Sequence, residues 1–204
     1  MAEKIEKIIE TTNRLLDYIF SGVLFLVVLH TIREEYERNK ETKDDIFIGT
    51  VVISSYNNSV LVLTNSIKPE KKSIHIHYLL NMINNSRCNI KPDIYTQLRE
   101  FIPIFEKSLL EVKPVTDMTI LWRDKNIGHL DRDHINNPIV FLSAQPIKWE
   151  EFENAYSIVS SGVSKIKEIL EGGISFAQSA SIAKADLILK TRAVYYLCYG
   201  AKHT

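Results

Sequence analysis

Apolar residues recur every three or four positions over the first part of the chain, and this spacing predicts one long helix over about residues 3–38. The positions that carry the pattern are Ile5, Ile8, Ile9, Thr12, Leu15, Leu16, Ile19, Phe20, Val23 and Val27. The helix is amphipathic at first and then apolar all round. We therefore expect its second half to be buried on several sides, with another subunit as one candidate cover.

The same spacing predicts further helices over about 46–63, 73–83, 93–112, 114–128, 149–171 and 177–199. The segment from Ile46 to Leu63 is rich in Ile and Val, as strands are, but it is too long for an ordinary strand. Ser73 and Asp93 are the predicted N-caps of two of these helices, and Pro103 is a predicted kink. No repeat of 20–50 residues is visible. These features predict an all-α fold, a single-domain bundle of about six to seven helices over residues 1–204.

Composition agrees with this fold and limits the function. With 7 Gly and 6 Pro in 204 residues, the chain lacks the turn residues of a β-sandwich or barrel. The 25 Lys and Arg balance the 25 Asp and Glu, which excludes a uniformly basic nucleic-acid-binding surface, so a polyanion must be held by a local patch.

The ends of the chain and its cysteines predict its cellular location. The first residues lack the pattern of a secretory signal, and the most apolar run, about 19–32, is shorter than the ~20 residues of a bilayer span. We expect a cytoplasmic protein without a membrane partner, in which this run is a central core helix. Cys88 and Cys198 show no disulfide or zinc spacing, and we expect both to be buried apolar fillers.

The candidate chemistry lies in residues 122–134, which read Trp-Arg-Asp-Lys-Asn-Ile-Gly-His-Leu-Asp-Arg-Asp-His. Arg123 keeps its charge and can hold a phosphate through two hydrogen bonds, whereas His129 can exchange a proton near neutral pH. On an ideal helix a six-residue step places two residues on different faces. A helix that ends near Gly128 lets His129 turn back toward Arg123. Together the two side chains are suited to cleaving a phosphodiester.

This segment resembles the motif of the HEPN superfamily of all-helical nucleotide- and RNA-binding domains, in its abortive-infection-type branch. That motif is Arg-Asp-Lys, then Gly or Ala before His, then Asp, and residues 123–131 match it closely. Elsewhere the resemblance is architectural. It implies a metal-independent endoribonuclease of a defence or toxin–antitoxin system, without a cofactor, that acts on RNA as a homodimer with two motifs flanking one cleft. A cognate antitoxin protein is a further implied partner.

The resemblance also implies roles for individual residues. His129 transfers a proton at the ribose 2′-OH or the leaving oxygen, Arg123 holds the scissile phosphate, and Asp124 orients the pair. Lys125 and Asp131 match the branch without an assigned role. Lys125 and Arg132 are the candidate RNA contacts, with the loop 68–72 as a further basic segment.

Other interpretations of these residues stay open. Arg123 could pair with Asp131 or Asp133 while His129 caps the helix end, which would make the segment structural. The string of His129, Asp131, Asp133 and His134 also offers ligands to a metal, although we expect none. Many HEPN-like domains are non-catalytic, so a helical interaction or antitoxin-like module is the alternative function. Side chains expected to be structural are His30 in a core or interface, His75 and His77 on a helix, and Trp122 and Trp149 as apolar anchors.

Overall fold

The computed structural model describes residues 2–38, 46–68, 74–126, 148–171, 185 and 187–193, and in these ranges it is helical with short connections and no strand. The helices are α1 (Ala2–Arg38), α2 (Ile46–Ile67), α3 (Ile76–Asn85), a 3₁₀ helix (Arg87–Asn89), α4 (Pro92–Glu111), α5 (Lys113–Asn126) and α6 (Trp149–Glu171). Residues 187–193 are also helical. The prediction of an all-α bundle with a long N-terminal helix is confirmed.

Helix α1 is the centre of the bundle. It packs most extensively on α2 and then on α6, and α3 also rests on it. Asn65 donates a hydrogen bond to Tyr18 Oη (3.2 Å) and Ser59 lies opposite Gly22, so α2 runs antiparallel to α1. Helix α5 packs mainly on α2, and α4 packs on α6. The apolar faces of α1, α2, α3, α4 and α6 join in one core, and α5 adds half-buried Val115 to its edge.

Helix α2 buries hydroxyl groups as well as apolar side chains. Ser59 and Ser66 are fully buried, and their hydroxyls donate to the carbonyls of Ser55 (2.9 Å) and Val62 (2.8 Å), one turn earlier. Such bonds satisfy a buried hydroxyl inside its own helix, so no partner from another helix is required. The prediction of a helix here, made from the length of the segment, is confirmed despite the strand-like composition.

Helix α3 begins two residues later than a cap at Ser73 would place its start. His75 is its N-cap, with extended backbone (φ −140°, ψ 167°), and its Nδ1 accepts a hydrogen bond from the Tyr78 backbone N–H at 3.1 Å. The predicted Ser73 cap is wrong for this helix, because an imidazole nitrogen satisfies the free N–H that a hydroxyl was expected to bind.

Helix α4 begins at Pro92, so the prediction of Asp93 as its N-cap is also wrong. Lys91 occupies the N-cap position and Asp93 lies in the first turn. Proline is favoured at the first helical position because its fixed φ suits the helix and the N–H it lacks would be unbonded there. Pro103 is inside α4, which continues past it to Glu111. Pro103 is exposed, so water can reach the backbone carbonyl it leaves without an intrahelical bond.

Three helices meet at Gly22, in the middle of α1. A Cβ at this position would lie 2.7 Å from Val62 Cγ1 of α2 and 2.8 Å from Tyr156 Cε1 of α6, and it would overlap the Tyr156 hydroxyl. That hydroxyl donates to the Ser59 carbonyl, and the Ser59 hydroxyl lies 3.4 Å from the Gly22 carbonyl. Glycine is therefore required here for close helix approach, not for backbone conformation.

Helices α4 and α6 meet at a second glycine. A Cβ on Gly162 would overlap the ring of Phe105, which is almost fully buried. Phe105 also stacks on Phe101, with ring centroids 6.0 Å apart. The flat ring thus covers the bare backbone of α6, and this contact sets the spacing between the two helices.

The prediction that Cys88 is buried is wrong. Cys88 is an exposed free thiol in the 3₁₀ helix Arg87–Asn89. This single turn contributes no buried side chain of its own, and the adjacent Ile90 points into the core instead. Cys198 lies outside the described residues.

Among the described residues, two helices are long and apolar enough to cross a membrane, the segments Glu3–Glu35 of α1 and Phe47–Ile67 of α2. In the bundle, 50% and 67% of their most apolar windows are buried. The core helix of a soluble protein meets the same criteria of length and composition.

Candidate functional site at the end of α5

Helix α5 carries the first part of the candidate motif. Thr116 and Thr119 form its buried face, and their hydroxyls donate to the backbone carbonyls of Lys113 (2.9 Å) and Val115 (2.7 Å). Met118 and Leu121 lie on the opposite, exposed face. Helix α5 therefore turns small threonine side chains toward the bundle and apolar side chains toward solvent. The threonine hydroxyls are hydrogen-bonded within the helix itself.

The helical register distributes the motif positions between these two faces. Arg123, Asp124 and Lys125 all belong to the last turn of α5. Position 123 comes four residues after Thr119 and seven after Thr116, so it is in register with these two positions along α5. Position 125 comes four residues after Leu121 and seven after Met118, so it continues the exposed face. The predicted phosphate-holding position and the predicted RNA-contact position thus fall on different sides of one helix.

The second part of the motif lies outside the described residues. This applies to Gly128, His129, Asp131 and Arg132, and to the rest of the alternative metal string, Asp133 and His134. The approach of His129 to Arg123 therefore stays a prediction. In the part of the chain that is described, no group of three or more His, Cys, Asp and Glu side chains is arranged to hold a metal ion.

The described residues contain one concentrated group of charged side chains, at the C-terminal end of α1. Arg192 Nη2 donates a hydrogen bond to Glu34 Oε2 at 3.0 Å, and its Nε lies 3.2 Å from Glu35 Oε1. The second contact is an ion pair without hydrogen-bond alignment. Arg38 Nη1 also donates to Glu35 Oε1 at 3.0 Å, and His30 Nε2 lies 3.0 Å from Glu34 Oε1. Three basic side chains, Arg192, Arg38 and His30, thus share two carboxylates.

This ionic cluster was not predicted from the sequence. The interpretation of His30 as a core residue is wrong, since its side chain is 54% exposed and faces Glu34 across one turn, whereas the interpretation as an interface residue stays a prediction. Glu35, by contrast, is completely buried. A sequence signal did exist, because the outer face of α1 passes from charged to apolar residues and then reaches Glu35.

Electrostatics in the cluster favour the ionised form of Glu34. The hydrogen bond from Arg192 is the main cause that lowers the pKa of Glu34, and the charges of His30, Arg192 and Arg38 act in the same direction. Elsewhere, burial raises the pKa of Tyr56 and that of Tyr156, so both phenols stay protonated and act as hydrogen-bond donors or apolar fillers.

The remaining side chains singled out from the sequence have structural surroundings. His75 caps α3, and His77 is exposed in its first turn. Trp149 is half-buried and meets the edge of Phe152, with ring centroids 6.5 Å apart, which agrees with an apolar anchor. The side chain of Trp122 lies outside the described set.

No family model, no curated protein and no solved structure matches this chain. The chain's own residues are what indicates a function, foremost the segment 123–131, whose first four residues belong to the last turn of α5.

Proposed function

We propose that this protein is a metal-independent endoribonuclease of a defence or toxin–antitoxin system, related to the HEPN superfamily and active as a homodimer. The observation that carries the proposal is the position of Arg123 in the last turn of α5, six residues before His129, within an all-helical bundle. The all-α fold with a long first helix supports it. In this proposal the protein is cytoplasmic and its partners are RNA, a second copy and a cognate antitoxin, with no membrane.

The proposed reaction uses the ribose itself as the nucleophile. His129 accepts the proton of the 2′-OH while the 2′ oxygen forms a bond to phosphorus, and the bond from phosphorus to the 5′ oxygen breaks. The 5′ oxygen takes up a proton, which leaves a 5′-OH end and a 2′,3′-cyclic phosphate. Arg123 stabilises the additional negative charge on the phosphoryl oxygens, and Asp124 orients the pair.

Binding of RNA in this proposal depends on local charge, since the whole chain has a formal net charge of +0. Lys125 and Arg132 flank the catalytic pair in sequence, and each phosphate they neutralise releases counterions from the RNA. A homodimer doubles the number of such contacts at one cleft. Binding should therefore weaken as salt is raised.

The test is cleavage of a single-stranded RNA in excess EDTA by wild type, His129→Ala and Arg123→Ala. We expect the wild type to produce cyclic phosphate ends and His129→Ala to lose about 10²-fold or more in rate, the usual contribution of a general acid–base group. His77→Ala is the matched control, because His77 is exposed on α3 and outside the motif. Absence of cleavage by the folded wild type, or equal rates for His129→Ala and wild type, would disprove the proposal.

One observation favours a non-catalytic interaction module as the second candidate. Four large apolar side chains are exposed on α4 and α5, namely Ile104, Leu110, Met118 and Leu121. Where exposed apolar side chains form a continuous patch, they often mark a protein–protein contact. This alternative predicts an assembly without nuclease activity that Leu121→Glu weakens, as measured by sedimentation velocity, with the exposed polar substitution Glu106→Gln as its control.

The proposed location can be checked separately. After cell fractionation and alkaline carbonate washing, a tagged full-length chain should be recovered in the supernatant. Retention in the carbonate-washed membranes would instead support the two apolar helices as spans.

A further inference from the structure

We draw no further inference here: the strongest candidate, the exposed apolar side chains of Ile104 and Leu110 on α4 and of Met118 and Leu121 on α5, carries none because nothing in the structure shows what covers them.

Discussion

Gly22→Ala should destabilise the protein even though alanine is the better helix former. In an unhindered helix this change is favourable by about 1 kcal/mol. At Gly22, however, the added methyl group would meet Val62 Cγ1 at 2.7 Å and Tyr156 Cε1 at 2.8 Å and would overlap the Tyr156 hydroxyl. Overpacking of a tight core costs about 1–3 kcal/mol, so after the gain in helix propensity we expect a net loss of up to about 2 kcal/mol.

A double-mutant cycle with Tyr156→Phe separates the contributions. Tyr156→Phe alone removes the hydrogen bond to the Ser59 carbonyl and should cost about 1 kcal/mol. In that background the hydroxyl no longer obstructs the new methyl group, although the ring carbon and Val62 remain. Gly22→Ala should then be milder by about 1 kcal/mol.

Urea denaturation followed by circular dichroism at 222 nm gives the four unfolding free energies, and thermal melts should show shifts of about 2–4 °C per kcal/mol. Ser21→Ala is the control for a nearby substitution, since Ser21 is half-buried and its hydroxyl donates within α1 to the Tyr18 carbonyl at 2.6 Å. If Gly22→Ala stabilised the protein, or if the two substitutions were additive within about 0.3 kcal/mol, the three-helix junction would not be packed as we describe.

Three further predictions concern other contacts. Gly162→Ala should cost about 1–3 kcal/mol in urea denaturation because the methyl group overlaps the Phe105 ring, and a smaller side chain at 105 should restore part of the loss. His75→Ala should lower the unfolding free energy by about 1 kcal/mol and increase amide exchange at the start of α3, since it removes the N-cap acceptor. The hydrogen bond from Arg192 lowers the pKa of Glu34. The stability that ionised Glu34 contributes is therefore present at pH values above the ordinary pKa of 4.5 and is lost as the pH falls through the lowered native pKa. Glu34→Gln should remove this loss and so flatten the acid limb of a stability-against-pH curve.

Local patterns were enough to predict most of the helices. The spacing of apolar residues located α1 and α6 to within a few residues, because each helix buries one continuous stripe against the others. Length alone identified α2, whose Ile and Val content favours a strand. The helix starts were less predictable, since the acceptor at α3 is the imidazole of His75 and Pro92 precedes Asp93 in α4. These starts depend on one or two hydrogen bonds that spacing does not encode.

Contacts between distant parts of the chain could not be predicted in this way. The pairing of Arg192 with Glu34 and the close approach of Tyr156 to Gly22 both depend on how separate helices align. At the candidate site, the prediction that Arg123 lies on a helix is confirmed, and its position is in register with Thr116 and Thr119. The encounter of Arg123 with His129 remains a prediction.

The hydroxyl groups inside α2 have an evolutionary consequence. Because Ser59 and Ser66 donate to carbonyls of their own helix, α2 offers its neighbours contours close to those of alanine. Drift between serine and alanine at these two positions should leave helix spacing unaltered, whereas asparagine or leucine would force the neighbouring helices apart. Among diverged homologues we therefore expect serine and alanine to replace one another at positions 59 and 66, so that side-chain volume is conserved while polarity varies.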